Sequence, residues 1–143
     1  MNSAKVGFAS WDLQAPIAKA VEANGWTEPT EIQREAIPLA RQGLDVVGQA
    51  RTGSGKTGAF GIPILEKCTP QGNPQAIVLC PTRELAVQVA EEMDSLQGGK
   101  GLSIQTVYGG TDLEKQAKRL KQGADIVVGT PGRVIDMTKR GHL

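Results

Sequence analysis

Aromatic residues are scarce in this sequence: Phe8, Trp11, Trp26, Phe60 and Tyr108 make up only 3% of its 143 residues. A surface on which several bases stack in succession needs more, so any single-stranded nucleic acid is expected to be gripped by its backbone. Cysteine is nearly absent. Cys68 and Cys80 follow no metal-ligand spacing and offer at most one bridge, which points to buried free thiols and a reducing, cytoplasmic setting. Charge of one sign is also missing. Sixteen Lys and Arg face fifteen Asp and Glu, a formal charge of +1, so any polyanion site must be local. The longest stretch without a charge, Cys68 to Thr82, contains Pro70, Gly72, Asn73, Pro74 and Pro81 and cannot span a membrane. Near the N-terminus only Lys5 precedes scattered polar residues, with no apolar run behind it, so neither export nor anchoring is expected.

What is present suits a folded domain with a real core: 39% hydrophobic and 22% charged residues. Trp11, Leu13, Ile17, Ala18 and Val21 predict a helix over 10–23 with Ser10 as its cap. Thr30, followed three residues on by Gln33, predicts a capping box at the start of a second helix that runs to Gly43, with Pro38 as a possible kink. Beyond Gly43 short apolar strands alternate with helices. Strands are predicted at 44–48, 76–80, 103–108 and 125–129, with helices after Gly55 and over 82–96, 112–122 and 131–140. That alternation predicts an α/β fold, a parallel sheet flanked by helices on both faces, because parallel neighbours need crossover connections. No internal repeat or low-complexity segment is visible.

The string Ala50-Arg51-Thr52-Gly53-Ser54-Gly55-Lys56-Thr57 lies between a predicted strand and a predicted helix, the context of a P-loop. Gly53 and Gly55 permit a tight backbone whose N–H groups face phosphate oxygens, and the helix that follows adds its positive end. Lys56 is then expected to reach the β- and γ-phosphates and Thr57 to offer its hydroxyl to Mg²⁺. Ala50 stands where the pattern usually has Gly. A P-loop alone does not choose a reaction, and a small nucleotide or metabolite kinase and a non-catalytic interaction domain stay open. The kinase would need its own acidic metal ligand and an Arg-rich lid, and neither is visible. Gln33 alone reads first as a cap partner, with its amide also suited to an adenine edge.

Taken in order, the strings resemble the DEAD-box family of ATP-dependent RNA helicases over nearly the whole chain. Gly25-Trp26-Thr27-Glu28-Pro29-Thr30-Glu31-Ile32-Gln33 resembles the Q motif, with Phe8 at the upstream spacing where the family places an aromatic against adenine. Ala50 to Thr57 resembles motif I, Pro81-Thr82-Arg83-Glu84-Leu85 motif Ia, Gly109-Gly110 the glycine doublet and Thr130-Pro131-Gly132-Arg133 motif Ib. The resemblance implies a RecA-like P-loop NTPase fold, ATP and Mg²⁺ as cofactors, and single-stranded or duplex RNA held through its backbone. It divides the chain into a Q-motif helical region, 1–43, and a partial RecA-like region, 44–143, of one structural domain. Local chemistry agrees: Arg83 and Arg133 put forked donors beside helix starts, and a backbone-reading track implies little sequence preference. Lys115, Lys118, Arg119 and Lys121 read as a solvated helix face, Trp11 and Trp26 as packing residues, and His142 has no constellation around it.

Parts of the family pattern are not among these residues. The Asp-Glu-Ala-Asp string, the Ser-Ala-Thr motif and the second RecA-like domain with its arginine fingers are absent, and the acidic pair Glu91-Glu92 falls inside a predicted helix. The 143-residue chain is therefore expected to bind nucleotide and RNA without hydrolysing ATP or unwinding a duplex. The family's missing strands lie between the P-loop strand and the motif Ia strand. Two bare strand edges are thus expected, and with them a marginal fold or one held by intermolecular strand pairing.

Overall fold

The computed structural model describes residues 7–143. In it the described residues fall into two units, one holding the residues through Lys67 together with Ser95–Lys100, the other Cys68–Asp94 and Gly101–Leu143.

In the first unit a 3-10 turn, Gly7–Trp11, precedes α1 (Ala15–Ala23), α2 (Glu31–Arg41) and α3 (Lys56–Lys67). The expected helix from Ser10 is interrupted. Asp12 takes φ 48°, a left-handed conformation that no helix continues through, and α1 restarts with Pro at its first turn and Gln14 as N-cap. Ser10 donates instead to the Gly7 carbonyl at 2.7 Å. Thr30 caps α2 in the expected capping box, and Pro38 lies inside that helix. The core of this unit gathers Ile17 and Val21 of α1, Ile37 of α2 and Ile62 and Leu65 of α3, all at most 2% exposed. Fully burying each such side chain contributes about 1.5–3 kcal/mol. The last carbonyls of α3 are not orphaned: Lys100 Nζ donates to Leu65 O and Glu66 O, and Gln14 Nε2 to Glu66 O at 2.9 Å.

The predicted strand at 44–48 does not form. Residues 44–48 carry no regular structure, and Leu44, Val46 and Val47 stand exposed, Val47 completely. An isolated strand leaves its ladder groups to water and gains nothing from its apolar alternation until a neighbour pairs with it. No such neighbour exists among the described residues.

The second unit is built on β1 (Ala76–Leu79), β2 (Ile104–Val107) and β3 (Ile126–Gly129), all parallel, in the order β1-β3-β2. β3 is central and wholly buried, as its uninterrupted Ile-Val-Val run demands. Helices α4 (Arg83–Gln97) and α5 (Leu113–Gln122) supply the connections and α6 (Pro131–Lys139) follows β3, all close to their predicted spans. Val127, on one face of β3, joins Val107, Ala117, Leu120, Val134 and Met137 in a single cluster. β1 lies at an edge, and its Ile77 and Leu79 are 50% and 56% exposed. Cys68 and Cys80 are buried and form no disulfide, as expected, and burial pushes the Cys80 thiol up from its ordinary range.

Asp125, just before β3, is a buried carboxylate with full partners. It accepts the backbone N–H groups of Gln71 (2.9 Å), Gly72 (2.7 Å) and Ser103 (2.8 Å), and the side-chain amide of Gln75 (3.1 Å). Two loops are thereby fixed at the N-terminal edge of the sheet.

Candidate functional site

Within the first unit the P-loop string wraps the start of α3. Gly53 and Gly55 take φ 80° and 88°, the left-handed region that a side chain resists, and Lys56 opens the helix. Ser54 N–H closes the turn on the Arg51 carbonyl at 3.1 Å. Arg51, Thr52, Gly53 and Lys56 are exposed, while Ala50, Ser54, Gly55 and Thr57 are half-buried. The loop is thus open to solvent and preset by its two glycines.

Gln33 links this loop to the capped helix. Its Oε1 accepts the Thr30 N–H at 3.0 Å, and its Nε2 donates to the Gly55 carbonyl at 3.1 Å. The approach requires glycine twice: a Cβ on Gly55 would stand 2.5 Å from Gln33 Nε2, and one on Gly58 would stand 2.7 Å from it and 2.9 Å from the Trp26 ring. Gln33 is 2% exposed. A cleft of about 540 Å³, lined in part by Thr30, Ile32, Glu35, Ala50, Arg51 and Ser54, opens where the capped helix and the loop meet.

Phe8 is buried. Its ring stacks on Trp26 with centroids 5.9 Å apart and meets Trp11 edge-on at 5.5 Å, so the three aromatics form one packed group, as the packing reading of both tryptophans expects. Gly58 and this Trp26 contact were not visible as site features in the sequence, because a helix-interior glycine announces a close approach without naming what approaches.

In the second unit the three later strings leave the sheet at one level. Leu79, Gly129 and Val107 are register partners at the ends of β1, β3 and β2. Pro81-Thr82-Arg83, Gly109-Gly110 and Thr130-Pro131-Gly132-Arg133 follow at the carboxyl edge of the sheet, where parallel α/β folds bind ligands. Thr82 Oγ1 accepts the Leu85 N–H at 3.2 Å, and Thr130 is the N-cap residue of α6. Pro81, Thr82, Arg83, Gly109, Gly110, Pro131 and Gly132 are exposed. No heavy atom would meet a Cβ on Gly109, Gly110 or Gly132, so the space above all three is open.

The two arginines differ. The Arg83 guanidinium lies 4.9 Å over the Tyr108 ring, a cation–π contact. Arg133 is half-buried and donates to Gln116 Oε1 (3.0 Å) and Thr111 O (3.1 Å), so part of its fork serves the protein. Tyr108 and Gln116, which touch these arginines, carry no motif signal in the sequence. A signal existed for Gln116: it occupies a core position in the stripe Leu113, Gln116, Ala117, Leu120 of an otherwise amphipathic helix. Lys115, Lys118, Arg119 and Lys121 are exposed on that helix.

One unit carries a P-loop string at a helix start, the other a parallel sheet with helices, and both belong to α/β architecture. The family model for the DEAD/DEAH box helicase matches residues 30–143, and the chain belongs to that family. It is 52% identical over 137 residues to DEAD-box ATP-dependent RNA helicase CshA of Streptococcus pneumoniae, in both strain TIGR4 and strain R6. The match takes in 95% of this chain and 26% of the relative, so the chain spans about a quarter of the length of these curated relatives. Among solved structures it resembles a DEAD box protein from the hyperthermophile Methanococcus jannaschii, with TM-score 0.91 and 47% identity over 96% of this chain and 38% of that one. A hypothetical ATP-dependent RNA helicase from Sulfolobus tokodaii gives TM-score 0.83 and 40% identity, covering 92% and 38%. The RecA-like fold expected from the sequence is the one these structures share. No helix among the described residues is long and apolar enough to cross a membrane.

Proposed function

We propose that these residues are the nucleotide-gripping and RNA-gripping part of an ATP-dependent RNA helicase, with ATP at the P-loop and RNA backbone along the strand-end loops. The observation that carries the reading is the shared register of Leu79, Gly129 and Val107, which sets three phosphate-suited strings at one sheet edge. A track of backbone N–H groups, capped helix starts and arginine forks reads phosphate and sugar rather than base, which suits a helicase indifferent to sequence.

At the P-loop the left-handed glycines and the α3 N-terminus fit a triphosphate. The Lys56 ammonium would meet the β- and γ-phosphates, and the Thr57 hydroxyl is the hard oxygen donor that suits Mg²⁺. When bound, Mg²⁺ neutralises charge on the phosphate oxygens. Gln33, with one N–H and one lone pair beyond its two protein contacts, is assigned the adenine edge, and Phe8 supports that pocket through Trp26. Hydrolysis and unwinding are assigned to the whole protein, through an Asp-Glu-Ala-Asp string and a second RecA-like domain that these 143 residues do not contain.

Titration of the 143-residue chain with labelled non-hydrolysable ATP and GTP analogues tests the reading. ATP is expected to bind weakly and in preference to GTP, with binding lost in Lys56→Ala. Equal affinity for the two nucleotides would remove the adenine assignment, and RNA-stimulated turnover by this chain would show that it is catalytically complete.

A further inference from the structure

Gln116 is 4% exposed, yet every hydrogen-bonding valence of its amide is used. Oε1 accepts the Tyr108 backbone N–H at 3.2 Å and Arg133 Nη1 at 3.0 Å. Nε2 donates to the Tyr108 carbonyl at 3.1 Å and to Thr111 Oγ1 at 2.7 Å. An amide has two N–H groups and two carbonyl lone pairs, so none remains for a ligand. Its partners are not scattered. Tyr108 and Thr111 are the residues on either side of Gly109-Gly110, and Arg133 closes the same loop by donating from Nη2 to the Thr111 carbonyl at 3.1 Å. Arg83 rests on the ring of the same Tyr108.

A two-glycine turn has more conformations to lose than any other pair of residues, and Gly110 sits at φ 82° with open space around it. Left to itself it would have to be ordered by each phosphate it met. A turn already pinned at both ends presents its N–H groups without that cost. The same amide holds one N–H of the Arg133 fork and the Thr111 carbonyl holds another, out of the five that a guanidinium carries.

We infer that Gln116 is the positioning residue of the RNA-backbone track: it touches no RNA, holds Gly109-Gly110 in its phosphate-receiving shape and aims Arg133. This rests on the RNA reading above.

The test is fluorescence anisotropy of the 143-residue chain with a labelled single-stranded RNA of mixed sequence, over a salt series, for wild type, Gln116→Leu, Arg83→Ala, Arg133→Ala and the Gln116→Leu/Arg133→Ala pair. Far-UV circular dichroism and ATP-analogue affinity report on folding. Gln116→Leu is expected to weaken RNA binding about tenfold, the scale of a few lost hydrogen bonds, with nucleotide affinity unchanged. Its slope of log affinity against log salt should fall by less than the drop of about 0.7 expected of Arg83→Ala, because the Arg133 charge remains and only its aim is lost. The double variant should lose less than the sum of its parts. Hydrogen exchange should accelerate at the Tyr108 amide and not throughout the core.

Wild-type RNA affinity in a folded Gln116→Leu, or full additivity with Arg133→Ala, overturns the inference while a weakened Arg83→Ala leaves the RNA reading standing. If wild type does not bind, or neither arginine variant changes affinity or slope, the RNA reading fails and the inference with it. Should Gln116→Leu not fold, Gln116→Asn decides. Its amide is one methylene too short for the four bonds, and wild-type RNA affinity with a freely exchanging Tyr108 amide overturns the proposal.

Discussion

The side-chain Nε2 of Gln33 donates to the backbone carbonyl of Gly55 at 3.1 Å, joining the cap of α2 to the P-loop string. Because Oε1 of the same amide accepts the Thr30 N–H, one side chain ends a helix and shapes a loop 22 residues away in sequence. Gln33→Ala is expected to lower stability by about 1–2 kcal/mol, from the lost cap and an unpaired buried group. Gln33→Glu keeps the acceptor for Thr30 and sets a carboxylate against the Gly55 carbonyl. Thermal denaturation of both variants checks this, and an unchanged midpoint in Gln33→Ala would contradict it.

Gly129, at the end of the central strand, has no room for a methyl group. A Cβ there would stand 2.6 Å from the Val107 carbonyl oxygen and 2.7 Å from Val134 Cγ2. The first of these atoms is strand backbone and cannot turn aside. Gly129→Ala is expected to cost about 1–3 kcal/mol by overpacking. A denaturant midpoint equal to wild type would show that the sheet end yields more readily than its hydrogen bonds imply.

The carboxyl of Asp125 is expected to contribute to acid stability. Burial alone would raise its pKa, but the backbone N–H groups of Ser103, Gln71 and Gly72 outweigh burial and hold it below the ordinary aspartate range. A depressed folded-state pKa means stability that is present above the ordinary aspartate pKa and lost as pH falls from there through the folded value. Glu66 acts in the opposite sense, since burial holds its carboxyl above the ordinary range against the pull of Arg41 and Lys100. Asp125→Asn should destabilise the protein near neutral pH and flatten the acid limb of its stability curve. An acid limb as steep as that of wild type would assign the loss to other carboxylates.

Exposed apolar side chains on the free edge strand β1 are expected to favour association. Ile77 and Leu79 stand half exposed on an edge strand, and Leu44, Val46 and Val47 are exposed in a stretch without regular structure. The chain is expected to self-associate as concentration rises, and Ile77→Lys and Val47→Lys to suppress this. Sedimentation velocity over a concentration series checks it; a sharp thermal transition in a species monomeric at every concentration would overturn it.

How far the sequence reached can be read from individual residues. Thr30 with Gln33, Asp112 before α5 and Pro131 at the start of α6 place helix starts correctly, because capping is decided within four residues of chain. β1, β2 and β3 were legible for a similar reason: short β-branched runs bounded by turns. The run at 44–48 has the same local pattern and no strand. Nothing in those five residues records whether a neighbour stands beside them.

The sequence by itself determined the family, the order of its motif strings and the starts of most helices, since each rests on residue types at short fixed spacing. Only the tertiary structure decided which strands pair, that Gln33 reaches Gly55, that Phe8 is packed between two tryptophans, and that one buried amide on α5 holds Tyr108, Thr111 and Arg133 together. Those outcomes depend on contacts between residues far apart in the chain, where burial, close approach and unsatisfied hydrogen bonds are settled by what else occupies the space.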